Sequence, residues 1–356
     1  MRSGSGVSPL VFFGAATESK PHENQQKPKI YIVGTGGTIA GTGGSATEGK
    51  YKAGKMGVQD LLAQIPSLNM LDARLKRRNL CQIDSSDIAI ENWLELAKMV
   101  NELLKKPGAK GVVITHGTDT LEETAYFLDL VIKSDKPVVL VGAMRASTSI
   151  SSDGPLNLLN AISVVNSPES NGKGVLVVIN DTIFDARDVV KSNTTQTSTF
   201  TAPNSGPLGH VHYGKVEFDK LTVRKHTCDT PFDVSDLKTL PRVEIVYEHA
   251  CQTGNVLKLV IADKPDGIVI AGTGDGNIPV RDKVLLENAR QQGIQIIRSS
   301  RTGSGRVTED GVDDLDSKIG LIAGDNLSPQ KARILLMLSL TLTKATNEIR
   351  DNFGKY

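Results

Sequence analysis

Short apolar runs alternate with helical patterns over most of the chain and predict an α/β fold. Runs rich in Val and Ile are typical of strands that are buried on both faces. They occupy residues 29–35, 111–115, 137–143 and 174–180. Between them, apolar residues recur with the spacing of one helix face. These helical patterns cover residues 58–65, 93–104, 121–132 and 155–165. The alternation predicts a largely parallel sheet with helices on both sides.

A polar segment, residues 222–240, interrupts this alternation and predicts a linker between two α/β domains. It is rich in charges, it contains Pro231, and Pro241 follows it directly. A second α/β set comes next, with strands predicted at 243–247, 267–272 and 294–298 and helices at 280–291 and from Ser328 onward. Ser328 can cap the last helix, and Pro329 suits its first turn. The predicted domains are a larger N-terminal one, residues 29–221, and a smaller C-terminal one, residues 241–356.

The N-terminal 28 residues lie before this pattern and allow two interpretations. Residues 7–13 form a short apolar stretch, and the small residues at 14–16 resemble an export cleavage site. The apolar stretch is short and contains Pro9, so a disordered tail is the alternative. Residues 17–28 are polar and indicate a linker.

The net charge, the cysteines and the histidines give no reason to expect a metal site or a nucleic-acid partner. The 41 Lys and Arg against 40 Asp and Glu give a formal net charge of +1, which offers no electrostatic reason to expect nucleic acid or an anionic membrane. Cys81, Cys228 and Cys251 are far apart and form neither a disulfide framework nor a metal knuckle. His210 and His212 share a face if they lie in a strand, but a metal site would need more ligands.

A glycine-rich turn follows the first predicted strand and is the first candidate for chemistry. Residues 34–41 read GTGGTIAG and place two threonine hydroxyls where glycines let a ligand approach the backbone. Ile39 stands where a dinucleotide-binding loop needs its last glycine, and the Lys of a phosphate-binding loop is missing. A phosphate-binding or purely structural turn is the alternative interpretation.

Two further polar segments follow predicted strands. Residues 115–120 (THGTDT) open a helix, where Thr118 or Asp119 could act as a cap or, with the helix N-terminus, could hold a water or a carboxylate. Residues 186–195 (ARDVVKSNTT) contain Lys191. A lysine in such a loop is usually solvated, and it gains significance only if it meets Asp119. Since ligands of open α/β sheets bind at the carboxyl ends of strands, these turns are the places to examine.

Together the three segments resemble the type II bacterial L-asparaginases. The resemblance covers about residues 29–356 and extends to further segments in the family's order: KPVVLVGAMR (136–145), DGPLNLLNA (153–161), GPLGHVHYGKV (206–216), RKHTCDTPFDVS (224–235) and NLSPQKARILLML (326–338). It implies an amidohydrolase that needs no cofactor and releases ammonia from the side chain of L-asparagine. It also implies an exported homotetramer whose paired subunits share each site, although a cytoplasmic location stays open.

The resemblance implies a role for each candidate catalytic residue. Thr38 matches the family's nucleophile, and Tyr51 matches a tyrosine on a lid that closes over it. Thr118, Asp119 and Lys191 match a Thr-Asp-Lys set in which the lysine keeps the aspartate ionised and aligned. Backbone N–H groups at Gly117 and Thr118 are expected to stabilise the oxyanion.

Substrate-binding residues are also implied by the resemblance. Gly37 and Gly117 are expected to line the substrate, Ser85 to bind its α-carboxylate and Asp119 its α-ammonium. Ser86 departs from the Gln or Glu of many relatives. Asn277 is expected to reach a neighbouring subunit's substrate, although its Gly-Asp-Gly-Asn context also suits a simple turn. The family's acid before a Val-Asp-Asp stretch has no direct counterpart, and Glu309 is the candidate for it.

Three other functions compete with this interpretation. A glutaminase-asparaginase differs only in accepting a substrate that is longer by one methylene. An inactive amino-acid-binding protein on the same fold would not need the nucleophile Thr38. A nucleotide-dependent oxidoreductase would need a glycine at Ile39. We expect ammonia release to separate the first two from an asparaginase.

Overall fold

A computed structural model describes residues 27–43, 51–52, 57–65, 68, 71–311 and 314–356. The candidate leader therefore lies outside the described residues. Its strands are β1 (Lys29–Gly36), β2 (Thr42–Gly43), β3 (Tyr51–Lys52), β4 (Arg74–Ile83), β5 (Ala109–Thr115), β6 (Val138–Val141), β7 (Val175–Ile179), β8 (Thr182–Asp185), β9 (Val190–Lys191), β10 (Phe200–Thr201), β11 (Gly209–His212), β12 (Lys215–Phe218), β13 (Val243–Tyr247), β14 (Gly267–Gly272), β15 (Gln295–Ser300) and β16 (Ile322–Ala323).

The α-helices of the described residues flank these strands. They are α1 (Val58–Ala63), α2 (Ile90–Lys105), α3 (Leu121–Val131), α4 (Gly154–Asn166), α5 (Asn255–Ala262), α6 (Val280–Gln291), α7 (Leu315–Ile319), α8 (Pro329–Leu340) and α9 (Thr346–Lys355). The side chain of Ser328 accepts a hydrogen bond from the N–H of Lys331, so the predicted cap of α8 is confirmed.

The larger sheet has eight strands in the order β12-β11-β8-β7-β6-β5-β1-β4. The pairs from β4 to β7 are parallel, and β8, β11 and β12 continue the sheet in antiparallel fashion. Strands β6 and β7 are fully buried runs of Val, Leu and Ile because helices cover both faces of this part of the sheet. The smaller sheet, β13-β14-β15-β16, is parallel throughout. The predicted fold class, two α/β units with the larger one first, is confirmed.

The two sheets share one hydrophobic core. Helix α8 belongs to the C-terminal half, yet it packs against α3 on one side and against β13, β14 and β15 on the other. A single cluster of buried side chains therefore runs from Phe127 in α3 through Leu335 in α8 to Val269 in β14. The segment 222–240 contributes Phe232, which is fully buried in the same cluster. The predicted domain limits at 29–221 and 241–356 stay a prediction.

Several elements lie where the apolar pattern predicts none. Strand β4 carries four charged residues in ten and is mostly exposed, because it forms the edge of the large sheet. In the hairpin of β11 and β12, at the opposite edge, β11 alternates buried with less buried residues and β12 alternates exposed with half-buried ones. Helices α5 and α9 are also absent from the predicted set. The final helix was expected to continue to Leu342, but α8 ends at Leu340 and α9 follows as a separate helix.

Candidate active site

The carboxyl ends of three neighbouring strands bring most of the candidate residues together. Strands β4, β1 and β5 are adjacent and parallel, so the turns that follow them lie side by side. The hydroxyl of Thr35 donates to the carbonyl of Thr115 over 3.0 Å, and the hydroxyl of Thr120 donates to the carbonyl of Ser85 over 2.7 Å. These bonds fix the three turns to one another at a single edge of the sheet.

Gly37 and Gly117 allow the turns after β1 and β5 to touch. Gly37 has a φ of 79°, in the left-handed region that favours glycine. A Cβ at Gly37 would lie 2.3 Å from both the N and the Cα of Gly117. A Cβ at Gly117 would lie 2.6 Å from the hydroxyl of Ser85. Gly117 is therefore packed between Gly37 and Ser85, and no larger residue fits at either glycine without backbone movement.

Ser85 presents a buried hydroxyl that makes no hydrogen bond within the described residues. Its side chain is 3% exposed, and its Oγ has no partner. Such a group costs free energy unless a ligand or water satisfies it. The neighbouring Ser86 behaves differently, because both its N–H and its hydroxyl donate to Asp84, at 3.2 and 3.1 Å. Ser86 thus stabilises the turn locally, while Ser85 is left available to a ligand.

A buried histidine orients the turn after β5. His116 is fully buried, and burial lowers its pKa to about 4, so the ring is neutral at physiological pH. Its Nδ1 lies 2.7 Å from the carbonyl of Gly117, which can only accept, so Nδ1 carries the proton. Nε2 then accepts from the hydroxyl of Thr124 at 2.9 Å, and that oxygen accepts from Trp93 Nε1 at 2.9 Å. This chain of bonds fixes the Gly117 carbonyl to the buried side chains of α2 and α3.

Thr118, Asp119 and Lys191 meet in space although Lys191 is distant in sequence. Lys191 Nζ donates to Thr118 Oγ1 over 2.9 Å and forms an ion pair with Asp119 Oδ1 at 2.5 Å. Thr118 is 4% exposed, whereas the Asp119 side chain is 61% exposed. A hydroxyl that accepts from an ammonium group is stabilised as its oxygen gains negative charge. The carboxylate of Asp119 stays open to a second cation. No cap of α3 involves these side chains: its N-cap is Thr120, which makes no side-chain cap bond.

Lys191 is held through its backbone as well. Strand β9 pairs with β10, and the N–H of Lys191 donates to Glu122 Oε2 over 2.5 Å. Glu122 is 8% exposed, and burial raises its pKa while Lys331 and Lys191 oppose that rise. Neither Glu122 nor Lys331 is among the site residues expected from the sequence. A signal for Lys331 exists, because it precedes Ile334 and Leu335 by three and four positions and so shares their apolar helix face.

Thr38 follows Gly37 directly and begins a short 3-10 helix, Thr38–Ala40. Its side chain is 7% exposed at the same edge as Thr118. The backbone of Tyr51 pairs with Gly43 in the hairpin of β2 and β3, which leaves this edge after the 3-10 helix. The side chain of Tyr51 lies outside the described part of the chain, so its predicted role stays a prediction.

Asn277 and Glu309 lie in the C-terminal half, apart from this group. Asn277 closes a tight turn after β14, with its N–H donating to Thr273 over 2.8 Å. Glu309 forms an ion pair with Arg350 at 3.3 Å. Within the described residues, no hydrogen bond or ion pair joins either side chain to Thr118, Asp119 or Lys191.

The described residues show neither a metal-binding cluster nor a membrane-spanning helix. His210 and His212 do lie in a strand and stack with ring centroids 5.9 Å apart. The described residues contain no group of three or more His, Cys, Asp or Glu side chains that could hold a metal ion. Among them, no helix is long and apolar enough to cross a bilayer. Cys81, Cys228 and Cys251 carry free thiols.

Similarity to known proteins covers both halves of the chain. Residues 29–224 match the family model for the asparaginase N-terminal domain, and residues 242–353 match that for the glutaminase/asparaginase C-terminal domain. The chain is 49% identical to L-asparaginase 2 of Escherichia coli (strain K12), over 92% of this chain and 93% of that protein. It is 42% identical to the glutaminase-asparaginase of Pseudomonas fluorescens biotype A, over 98% of this chain and 96% of that protein.

A solved structure gives the same result. The crystal structure of a probable cytoplasmic L-asparaginase from Campylobacter jejuni superposes with a TM-score of 0.89 at 46% sequence identity. The match covers 93% of this chain and 100% of that one. With both family models matched in order and this degree of identity, the chain belongs to the asparaginase/glutaminase family.

Proposed function

We propose that the protein is an L-asparaginase that hydrolyses L-asparagine to L-aspartate and ammonia through a threonine nucleophile and an acyl-enzyme intermediate. The observation that carries this proposal is the contact of Lys191 with both Thr118 and Asp119, at 2.9 and 2.5 Å, beside the turn that holds Thr38. The 49% identity to an L-asparaginase 2 supports the same assignment.

In the proposed mechanism, the hydroxyl oxygen of Thr38 attacks the side-chain amide carbon, and its proton passes to the amide nitrogen, so that the C–N bond breaks, ammonia leaves and an acyl ester remains. An amide is a poor electrophile, so the reaction needs donors at the developing oxyanion, and the N–H groups of Gly117 and Thr118 are suited to that task. Tyr51 closes over the site and hydrogen-bonds Thr38, which excludes water during acylation. After ammonia leaves, Thr118 orients the attacking water or assists proton transfer. The ammonium group of Lys191 stabilises negative charge on Thr118 and keeps Asp119 aligned.

Recognition of the amino acid would use two polar groups at this edge that can still bind a ligand. The buried hydroxyl of Ser85 has no partner and complements the α-carboxylate of the substrate. Asp119 has one oxygen on Lys191 and a largely exposed carboxylate, which complements the α-ammonium. Gly37 and Gly117 line the substrate because neither carries a side chain.

We further propose that the active protein is an oligomer, a homotetramer in which paired subunits complete each site. Asn277, with Glu309 as the candidate acid, would serve the site of a neighbouring subunit. Helices α5 and α6 support association, since they expose large apolar side chains at Val256, Leu259, Val280 and Val284. We also propose a periplasmic or secreted location on the basis of the candidate leader, with a cytoplasmic location as the alternative.

Ammonia release by the purified protein tests the main proposal, with L-asparagine and L-glutamine measured in parallel and Thr38→Ala as the control. Release from asparagine well above that from glutamine, and lost in the variant, is expected. Comparable release from both substrates would reassign the protein as a glutaminase-asparaginase, which the 42% identity to such an enzyme also supports. No release from either substrate by a folded oligomer would favour an amino-acid-binding protein instead.

A further inference from the structure

Lys331 is the largest charged side chain that lies fully inside the described structure. It lies in the first turn of α8 in the C-terminal half, it is 1% exposed, and burial lowers its pKa. A fully buried ammonium group is costly unless it is paired and hydrogen-bonded. Its surroundings therefore indicate what it stabilises.

The ammonium group of Lys331 hydrogen-bonds the segment that leads to Lys191. Its Nζ donates to the carbonyl of Arg187 over 2.9 Å and to the carbonyl of Val189 over 2.5 Å. Val189 lies two residues before Lys191. Both acceptors are backbone atoms of the N-terminal half, so a side chain from one half fixes the main chain of the other.

The charge of Lys331 also acts on the carboxylate that holds Lys191. Glu122 accepts the N–H of Lys191 over 2.5 Å, and Lys331 is the strongest of the charges that oppose the rise in the pKa of Glu122. Asp185 and Asp188 face Lys331 as well. An ionised acceptor makes a stronger hydrogen bond than a neutral one, so Lys331 strengthens the bond that fixes the backbone of Lys191.

We propose that Lys331 is a positioning residue for the catalytic lysine: it holds the 187–191 segment and the Glu122 carboxylate so that Lys191 reaches Thr118 and Asp119. Its kinetic consequence rests on the function proposed above. Small displacements of a reacting group reduce rate much more than binding. The prediction is therefore a loss of kcat that far exceeds any change in KM, because Lys331 hydrogen-bonds neither Ser85 nor Asp119 in the described structure, and the largely exposed Asp119 carboxylate keeps its charge for the α-ammonium when Lys191 is displaced.

The test is Lys331→Met in the full-length protein, a change that keeps the length of the side chain and removes its charge and donors. We expect kcat for L-asparagine to fall by about 10- to 100-fold while KM changes by less than about twofold. Lys133→Met is the matched control. Lys133 donates to the carbonyls of Thr227 and Thr230, so it also ties two segments together, but away from the site. It should keep kcat close to wild type.

Glu122→Gln extends the test, also in the event that Lys331→Met does not fold. If both residues act through the same contact, the double variant should lose little more activity than the worse single variant, whereas independent roles would multiply. Wild-type kcat in Lys331→Met, or in Glu122→Gln if the first variant does not fold, would overturn the proposal. So would parallel losses in Lys331→Met and Lys133→Met.

Hydrogen exchange separates this proposal from the proposed function. Faster amide exchange at residues 187–191 is expected in Lys331→Met but not in Lys133→Met, whether or not the protein releases ammonia. Unchanged exchange in that segment would contradict the positioning role. A wild-type protein without ammonia release would sink the proposed function alone, because the exchange result still decides whether Lys331 holds the segment.

Discussion

Two polar clusters, at the carboxyl ends of the parallel strands of the large and the small sheet, differ in the charges that surround their acids. At the large sheet, Asp119 forms an ion pair with the ammonium group of Lys191, and Glu122 accepts the backbone N–H of Lys191. Lys331 adds a second positive charge that acts on Glu122. At the small sheet, Glu248 follows β13 directly and shares the side-chain amide of Gln252 with Asp282. In the second cluster the cations bond backbone carbonyls instead: Arg281 donates to the carbonyl of Gln252 and Arg301 to that of Glu248, and within the described residues no cation hydrogen-bonds the carboxylate of Glu248 or Asp282.

The consequence appears in the protonation of the acids. Burial and, after it, the negative charge of the neighbouring Asp282 raise the pKa of Glu248 to about 7. One oxygen of each of these acids is buried without a hydrogen-bond partner in the described structure. Burial raises the pKa of Glu122 as well, but there the charges of Lys331 and Lys191 oppose the rise, whereas Glu248 has the negative charge of Asp282 beside it. A cluster whose acids hold a lysine in place needs the arrangement of the large sheet, in which lysines lie next to the acids.

The largest expected effect comes from removing the cation of the first cluster. Lys191→Met should lower kcat for L-asparagine by about 10³-fold, because the ammonium group no longer stabilises charge on Thr118 or orders Asp119. Steady-state ammonia release measures this. Lys215→Met is the control, since Lys215 is exposed and also pairs with one carboxylate, Glu217. A Lys191→Met enzyme that kept its activity would show that the cation of the first cluster is not needed for the reaction.

A smaller loss of activity is expected from disturbing the close packing of Gly37 against Gly117, in the turns beside the first cluster. Gly37→Ala would place a Cβ 2.3 Å from the backbone of Gly117. We expect the free energy of unfolding to fall by about 3 kcal/mol and activity to fall by about 10²-fold. Gly172→Ala is the control, because Gly172 has a similar positive φ of 70° but nothing within 4 Å of an added Cβ. Equal destabilisation of the two variants in thermal unfolding would show that backbone conformation, not packing, is responsible.

Ser85→Ala separates binding from stability at the same edge. Loss of a hydrogen bond to a charged substrate group should raise KM by about 10- to 100-fold. The free energy of unfolding should be unchanged or higher by about 1 kcal/mol, because the buried hydroxyl has no partner to lose. Ser86→Ala should leave KM nearly unchanged, since that hydroxyl bonds Asp84. A destabilised Ser85→Ala protein with normal KM would make Ser85 a structural residue.

The smallest expected effect concerns the second cluster and is a change in the pH dependence of stability. A carboxyl whose pKa is raised on folding stabilises the fold at low pH, and this contribution is lost as pH rises through the folded value. For Glu248 the window runs from its ordinary 4.5 to about 7. Glu248→Gln should match wild type near about pH 5 and be more stable by about 2 kcal/mol near about pH 8.5. Ammonia release should not change.

Denaturant unfolding at the two pH values measures this difference. Glu244→Gln, on the same strand, is the control and should leave the pH dependence as it is. A Glu248→Gln variant with the full wild-type pH dependence would show that the second cluster is not held neutral by burial.

The sequence predicts the buried strands well, because a strand covered on both faces is a run of apolar residues. It fails at β4, where the edge position leaves charged side chains in water, and at α9, whose apolar residues Ile349 and Phe353 are too few to stand out. The meeting of Lys191 with Asp119 cannot be read from spacing, since 72 positions separate them. It was expected only from resemblance to a family. Glu122 and Lys331 were missed because a charged residue on an apolar helix face is seldom interpreted as a site residue.

The packing of α8 between the two sheets restricts how members of this family can be recombined. A chimera that joined residues up to 240 from one relative to the remaining C-terminal residues of another would replace Lys331, α8 and the part of the shared core that the C-terminal residues contribute. The new half would have to supply both an apolar face for α3 and an ammonium group for the carbonyls of Arg187 and Val189. Exchange at this position therefore transplants part of the support of Lys191 along with the smaller sheet.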